Sequence, residues 1–266
     1  MTAPAPATAP LFVPPYSAPQ DAAAHLRQSG FALLGGADLA RWIGAVPGQL
    51  QALAQTWNDL PPDDYLRDGG RYRSRRHGCF DMQAGAWAPV AHRAHWQPLE
   101  YNALHGGIER WFAPITAPTL AQPVWGALLV RLCTLCDAVF APGGEPQRWF
   151  VEAHQFRIDT ASGIGRPTPE GAHRDGVDLV AVFLVARQGI KGAETRIFEA
   201  ASPAGQRFTL TEPWSVLLLD DARMVHETTP IQPLAAAAPS AQAGYRDTLV
   251  LTWRRGGFQG PVPGPV

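Results

Sequence analysis

The chain is short of cysteine, short of charge and without long apolar runs, and each shortage closes off a class of protein. Three cysteines in 266 residues cannot staple a secreted scaffold, and their scarcity fits a reducing compartment. Cys133 and Cys136 form a Cys-x-x-Cys that could serve as a redox pair or half a zinc site. No second such pair exists, however, and the flanking Leu129-Val130-Arg131-Leu132 and Leu135 have helical character. Two thiols packed on a helix is the expectation, because free cysteine behaves as a small hydrophobe. No apolar run reaches the ~20 residues of a membrane span. Met1 to Gln20 is rich in Ala and Pro and lacks the basic start and apolar centre of a secretory signal. Residues 1–20 are therefore expected to form a flexible or extended leader, and the protein to be cytoplasmic. Charged residues make up 17% of the chain and the net charge is -1, so neither a nucleic acid nor a membrane is an expected partner. Arg71, Arg73, Arg75 and Arg76 form the one dense basic run, which a small anionic ligand or plain solvation would explain. No Gly-x-Gly-x-x-Gly, phosphate loop or Gly-x-Ser-x-Gly is present.

What is there is a helical opening followed by many short strands. Asp21 to Gln28 has helical composition, Phe31 to Leu34 reads as a short strand, and Ala37 to Leu60 as two helices broken at Pro47-Gly48. Arg71–Met82 and Trp87–Val90 suggest a hairpin. Pro123 to Phe140 is an amphipathic helix with Val124, Leu128, Leu132, Leu135 and Val139 on one face. From Trp149 strands follow closely: 149–159, 177–186, 189–199, 206–211, 214–219 and 248–253. The run 177–186 is apolar throughout, as a strand buried on both faces should be. Gln232 to Gly244 is an Ala-rich loop. Strands at this spacing predict a mainly β sandwich or barrel with helices packed outside it. Without a repeat or linker, residues 21–258 are expected to be one domain, its β core spanning about 147–254.

Two short segments carry the chemistry. His173-Arg174-Asp175-Gly176 places a His and an Asp two apart, on one face of an extended segment. Asp221-Ala222-Arg223-Met224-Val225-His226 brings a second His after a buried strand. Two imidazoles and one carboxylate, without thiolate, suit Fe(II) with open positions better than structural zinc. Beyond them Arg246 and Thr248 share a strand face, where a guanidinium fork and a hydroxyl could grip one carboxylate. The alternative is an Arg246 paired with Asp221 or Asp247. His25, His92 and His95 are expected at the surface; His77, His105 and His154 are expected to be hydrogen-bonded structural groups.

The strings His173-Arg174-Asp175-Gly176, Leu217-Leu218-Leu219-Asp220-Asp221, Val225-His226-Glu227-Thr228-Thr229-Pro230-Ile231 and Arg246-Asp247-Thr248-Leu249 resemble the Fe(II)/2-oxoglutarate-dependent dioxygenases. Tyr101-Asn102, Gly106-Gly107-Ile108 with Arg110, and His154-Gln155-Phe156-Arg157 are most similar to the bacterial branch of L-isoleucine dioxygenases, which hydroxylate free amino acids. The likeness spans roughly Arg71 to Arg254. It implies a double-stranded β-helix, a cupin-like jelly roll, with His173, Asp175 and His226 as iron ligands. Arg246 and Thr248 would hold 2-oxoglutarate, with Arg254 or Arg255 as substitutes because the loop before Arg246 is long. Fe(II), 2-oxoglutarate and O2 would then hydroxylate an unactivated C–H bond of a small free substrate, an L-amino acid. Two alternatives stand beside it: desaturation or cyclisation on the same fold, and a non-catalytic cupin-like binding module. Arg157 and Gln155 are the first candidates for substrate contact, followed by Arg174 and then Arg73, Tyr101, Asn102 and Arg110.

Overall fold

Alternate residues along the long strands go to different places, and that split organises the molecule. The computed structural model describes residues 12–234 and 243–261. The first part of the Ala/Pro-rich leader and most of the Ala-rich loop lie outside them. In chain order the first half contains α1 (Ala22–Ser29), β1 (Phe31–Leu34), α2 (Gly36–Ile43), α3 (Gln49–Ala54), β2 (Arg73–Gln83), β3 (Ala86–Pro89), α4 (Ala117–Leu120) and α5 (Pro123–Phe140). The second half is β4 (Trp149–Asp159), β5 (Leu179–Gln188), β6 (Ile190–Gly192), β7 (Thr195–Glu199) and β8 (Gly205–Phe208). It closes with β9 (Val216–Asp220), β10 (Met224–Thr228), β11 (Ile231–Pro233) and β12 (Tyr245–Arg254).

Seven strands form one antiparallel sheet in the order β1-β9-β5-β12-β4-β2-β3, and the smaller ladders β10-β7-β8 and β11-β6 complete a jelly roll. On one face of the large sheet, Trp149, Val151 and Ala153 of β4, Ala181 and Phe183 of β5, and Leu249, Leu251 and Trp253 of β12 join the helices in the main core. On the other face, Leu33 of β1, Val180 and Leu184 of β5 and Leu217 and Leu219 of β9 meet Ile197 of β7, Phe208 of β8 and Met224 of β10. Strand β5 is thus apolar on both sides because it is buried on both sides.

Helix α5 buries the five expected residues and also Trp125, Leu129, Cys133 and Cys136. Both thiols are free and buried, as expected of helix packing. By length and composition α5 could pass for a membrane span, but half of it is buried in this helix–sheet core. Two expectations need correction. The β core is not confined to about 147–254, because β1, β2 and β3 extend the large sheet at both edges. The described part of the leader is also not free: Thr209 N–H donates to Phe12 O at 3.0 Å and Ser17 N–H to Leu33 O at 2.8 Å.

Candidate active site

The buried run of β9 ends in a turn at Asp221 and returns as β10, which carries His226 inward. His173 lies outside any strand yet pairs with His226 as an isolated antiparallel bridge. The pair exchanges both backbone bonds, His173 N–H to His226 O at 3.1 Å and His226 N–H to His173 O at 2.9 Å. Their rings stand 4.5 Å apart between centroids. Each Nε2 lies 3.9 Å from one oxygen of Asp175, so the three side chains converge without closing on one another. His173 Nδ1 sits 3.0 Å from Gly171 O. That contact places the ring proton on Nδ1 and leaves Nε2 free to bind a metal. Burial holds His226 well below the usual imidazole range, so it is a neutral donor.

The backbone beneath the triad is fixed by one carboxylate. Asp221 accepts N–H bonds from Asp175 at 2.9 Å, Gly176 at 2.7 Å and Val177 at 3.1 Å. Gly176 has φ of +75° and a Cβ there would meet the Tyr101 ring at 2.5 Å. Only glycine fits, which explains the Gly in His-x-Asp-Gly. Gln97 Nε2 donates to Asp175 Oδ1 at 3.0 Å, while its own Oε1 accepts from Asn102 at 3.1 Å and Arg110 at 2.9 Å.

Arg246, Thr248, Val250 and Thr252 all line the cavity in front of the triad, as strand alternation requires. Arg246 is 4% exposed, and its Nη2 has no partner among the described residues. Burial lowers it to about 10, so it remains a cation at neutral pH. The alternative partners are occupied: Asp221 holds backbone amides, and Asp247 takes Arg157 at 2.7 and 2.8 Å. Arg255 pairs with Asp178 at 2.6 Å and Arg254 donates to Gly257 O at 2.6 Å, so neither is a substitute. A buried guanidinium aimed into a cavity beside three convergent metal-binding atoms fits a metal and an anionic cosubstrate together.

The rest of the cavity lining is partly polar. Arg73 donates to Asp63 at 2.7 Å yet leaves Nη2 unpartnered, as does Arg110 with its Nε. Arg75 is held between Phe112 and Phe156, 3.6 and 4.4 Å from their centroids. Glu170 borders the same cavity with Oε1 3.6 Å from His173 Nε2 and a buried, unpartnered Oε2. A second cluster lies behind it. Glu152 Oε2 is 2.9 Å from His77 Nε2 and 2.7 Å from His95 Nδ1, and His154 Nδ1 is 2.6 Å from Arg75. Burial pushes the Glu152 carboxyl up, but the two imidazoles outweigh it and hold the group well below the carboxylate range. Burial lowers His95 to about 3 and keeps His77 and His154 neutral as well.

Several expectations change here. Gln155 and Arg157 do not line the cavity: they stand on the helix-facing side of β4, where Gln155 donates to Thr56 at 2.9 Å and Arg157 pairs with Asp247. Arg174 lies over Tyr101 at 5.8 Å and donates to Ala222 O, so neither of these two reaches the cavity. Arg73, Asn102 and Arg110 do line it. His95 is buried, not at the surface. Arg75, Gln97, Glu152 and Glu170 went unremarked as site residues, although Arg73 and Arg75 share the strand parity that puts both inward.

The 2OG-Fe dioxygenase family model matches residues 54–252. Among solved structures, a bsmA homologue from Methylobium petroleophilum PM1 is 51% identical with a TM-score of 0.86, covering 94% of this chain and 98% of that one. IDO from Bacillus thuringiensis is 16% identical with a TM-score of 0.71, covering 90% of this chain and 99% of that one. The Fe(II)/α-ketoglutarate-dependent dioxygenase TqaL is 20% identical with a TM-score of 0.66, covering 89% and 86%. No curated protein matches the chain.

Proposed function

The chain belongs to the 2OG-Fe dioxygenase family, and from that premise we propose that it hydroxylates an unactivated C–H bond of a free amino acid. The family uses Fe(II) as cofactor and 2-oxoglutarate and O2 as cosubstrates. When bound, the iron supplies oxygen activation coupled to decarboxylation of 2-oxoglutarate to succinate. His173, Asp175 and His226 would hold it on one side, leaving the cavity side free. Arg246 and Thr248 would fix the distal carboxylate of 2-oxoglutarate, and burial of the guanidinium strengthens that bond.

The observation that carries the amino-acid reading is a set of buried, unpartnered atoms of both signs in one cavity: Arg73 Nη2 and Arg110 Nε against Glu170 Oε2. A buried donor or acceptor atom without a partner is costly even where the rest of its group is paired, and a zwitterion satisfies both kinds at once. Its carboxylate would sit against the two guanidinium groups and its ammonium against Glu170. The seat is small, which suits a free amino acid. The test is incubation with Fe(II), ascorbate, 2-oxoglutarate and an amino-acid pool, followed by succinate and mass measurement. Gain of one oxygen atom is expected, and loss of two hydrogens would mean desaturation or cyclisation instead. No succinate with any amino acid would overturn the reading.

A further inference from the structure

The cluster behind the cavity has work left to do once the metal, the cosubstrate and the zwitterion are placed. Glu152 Oε2 is taken by His77 and His95, whereas Oε1 accepts no hydrogen bond among the described residues and the side chain borders the cavity. The four residues also meet the distance criterion for a metal site, but the protons say otherwise. Arg75 can only donate, so the Arg75 contact makes His154 Nδ1 an acceptor and puts the ring proton on Nε2. Separations of 2.7 and 2.9 Å at one carboxylate oxygen are hydrogen bonds from two imidazoles. The cluster is therefore an ionised carboxylate with one oxygen clamped and the other on offer.

We propose that Glu152 Oε1 receives an N–H group on the substrate side chain, so that the substrate is an amino acid with a nitrogen-bearing side chain, basic or amide. This rests on the free-amino-acid reading above. With the ends of the amino acid held by Arg73 with Arg110 and by Glu170, and Asp175 given to the metal, Glu152 is the one carboxylate left in the cavity lining among the described residues. An aliphatic side chain would dry out an ionised oxygen and give it no partner, whereas an amine, guanidine or amide supplies the missing donor. The two imidazoles act as positioning groups that aim the carboxylate. Because they are neutral, they do not cancel its charge.

The experiment compares lysine, ornithine, arginine, glutamine and asparagine with leucine, isoleucine, valine and methionine. Product mass and succinate are measured with Fe(II), 2-oxoglutarate and O2, and binding by anaerobic calorimetry. At least a tenfold higher kcat/KM for an N–H-bearing amino acid is expected, together with loss of that preference in Glu152→Gln. Should Glu152→Gln fail to fold, the wild-type ranking decides on its own. Turnover of an aliphatic amino acid equal to or above the nitrogen-bearing ones overturns this assignment and leaves the amino-acid reading intact. So does a preference unchanged in a folded Glu152→Gln. Absence of turnover with every amino acid overturns both.

Discussion

Two clusters of imidazole and carboxylate border one cavity, and they are built to opposite ends. In the first, His173 and His226 stand 3.9 Å from the Asp175 oxygens, too far for hydrogen bonds, and the backbone does the holding. Asp221 and Gln97 fix the carboxylate's position while the ring proton of His173 is turned away to Gly171. In the second, the carboxylate and imidazoles have closed on each other at hydrogen-bond distance. Similar side chains thus serve different chemistry, and the difference lies in which protons are already committed. A metal needs bare nitrogen lone pairs that converge and are held apart by outside supports, and in the second cluster the nitrogens facing Glu152 carry protons instead.

The sharpest way to break this contrast is a pair of substitutions. Asp175→Ala should abolish succinate formation and Co(II) binding, whereas Glu152→Gln should still bind a single ion per chain by elemental analysis. A second ion lost on His95→Ala would show that the closed cluster is also a metal site. Next, Arg246→Ala should weaken 2-oxoglutarate by about 100-fold or more, the value of two charge-assisted bonds, with Arg246→Lys intermediate. An unchanged cosubstrate Kd would move the anion seat elsewhere. Asp221→Asn should lower Fe(II) affinity by about 10–100-fold, as loss of an outer support does, and reduce stability through three weakened amide bonds.

The closed cluster has its own signature in acid. His95 and Glu152 both have lowered folded values, His95 to about 3. The unfolded chain therefore binds more protons, and stability of the metal-free protein rises with pH. The His95 share is complete above about pH 6.5 and falls as the pH drops toward its folded value. The Glu152 share is lost from about pH 4.3 downward. Each contributes a slope of up to about 1.4 kcal/mol per pH unit within its window, and His95→Gln should reduce, without abolishing, the upper slope in denaturant titrations, because buried His77 and His154 contribute there too. The smallest effect is expected at Arg157→Ala. It should cost about 1–2 kcal/mol, because Asp247 is buried and Arg157 only partly so, and should leave both KM values unchanged.

The open cluster was legible in the sequence and the closed one was not. His173 and Asp175 are two apart and His226 follows a buried strand, so spacing and strand character brought them together. Arg246 and Thr248 share parity on one strand for the same reason. His77, His95, Glu152 and His154 come from β2, a loop and β4, and they meet only through the register His77↔His154 and Cys79↔Glu152. Strand parity separated Glu152 and His154 from Gln155 and Arg157 but could not say which set faced inward. That was decided by α3 and the turn after it, where Thr56 and Asn58 cover the Gln155 side. His95 read as a surface residue because Ala91-His92-Arg93-Ala94 before it shows no apolar pattern. It is buried because its backbone pairs with Arg110 across the loop that roofs the cavity.

The backbone bridge between His173 and His226 sets how freely this protein can change elsewhere. Both ligands take their positions from each other across paired amides, not from the length of chain that joins them. The exposed turn between β7 and β8, Ala201-Ser202-Pro203-Ala204, can therefore lengthen or shorten in related chains without moving the coordinating nitrogens. Variation in what the cavity accepts falls instead to Arg73, Arg110, Glu152 and Glu170, outside that stretch, while the point of oxidation stays anchored.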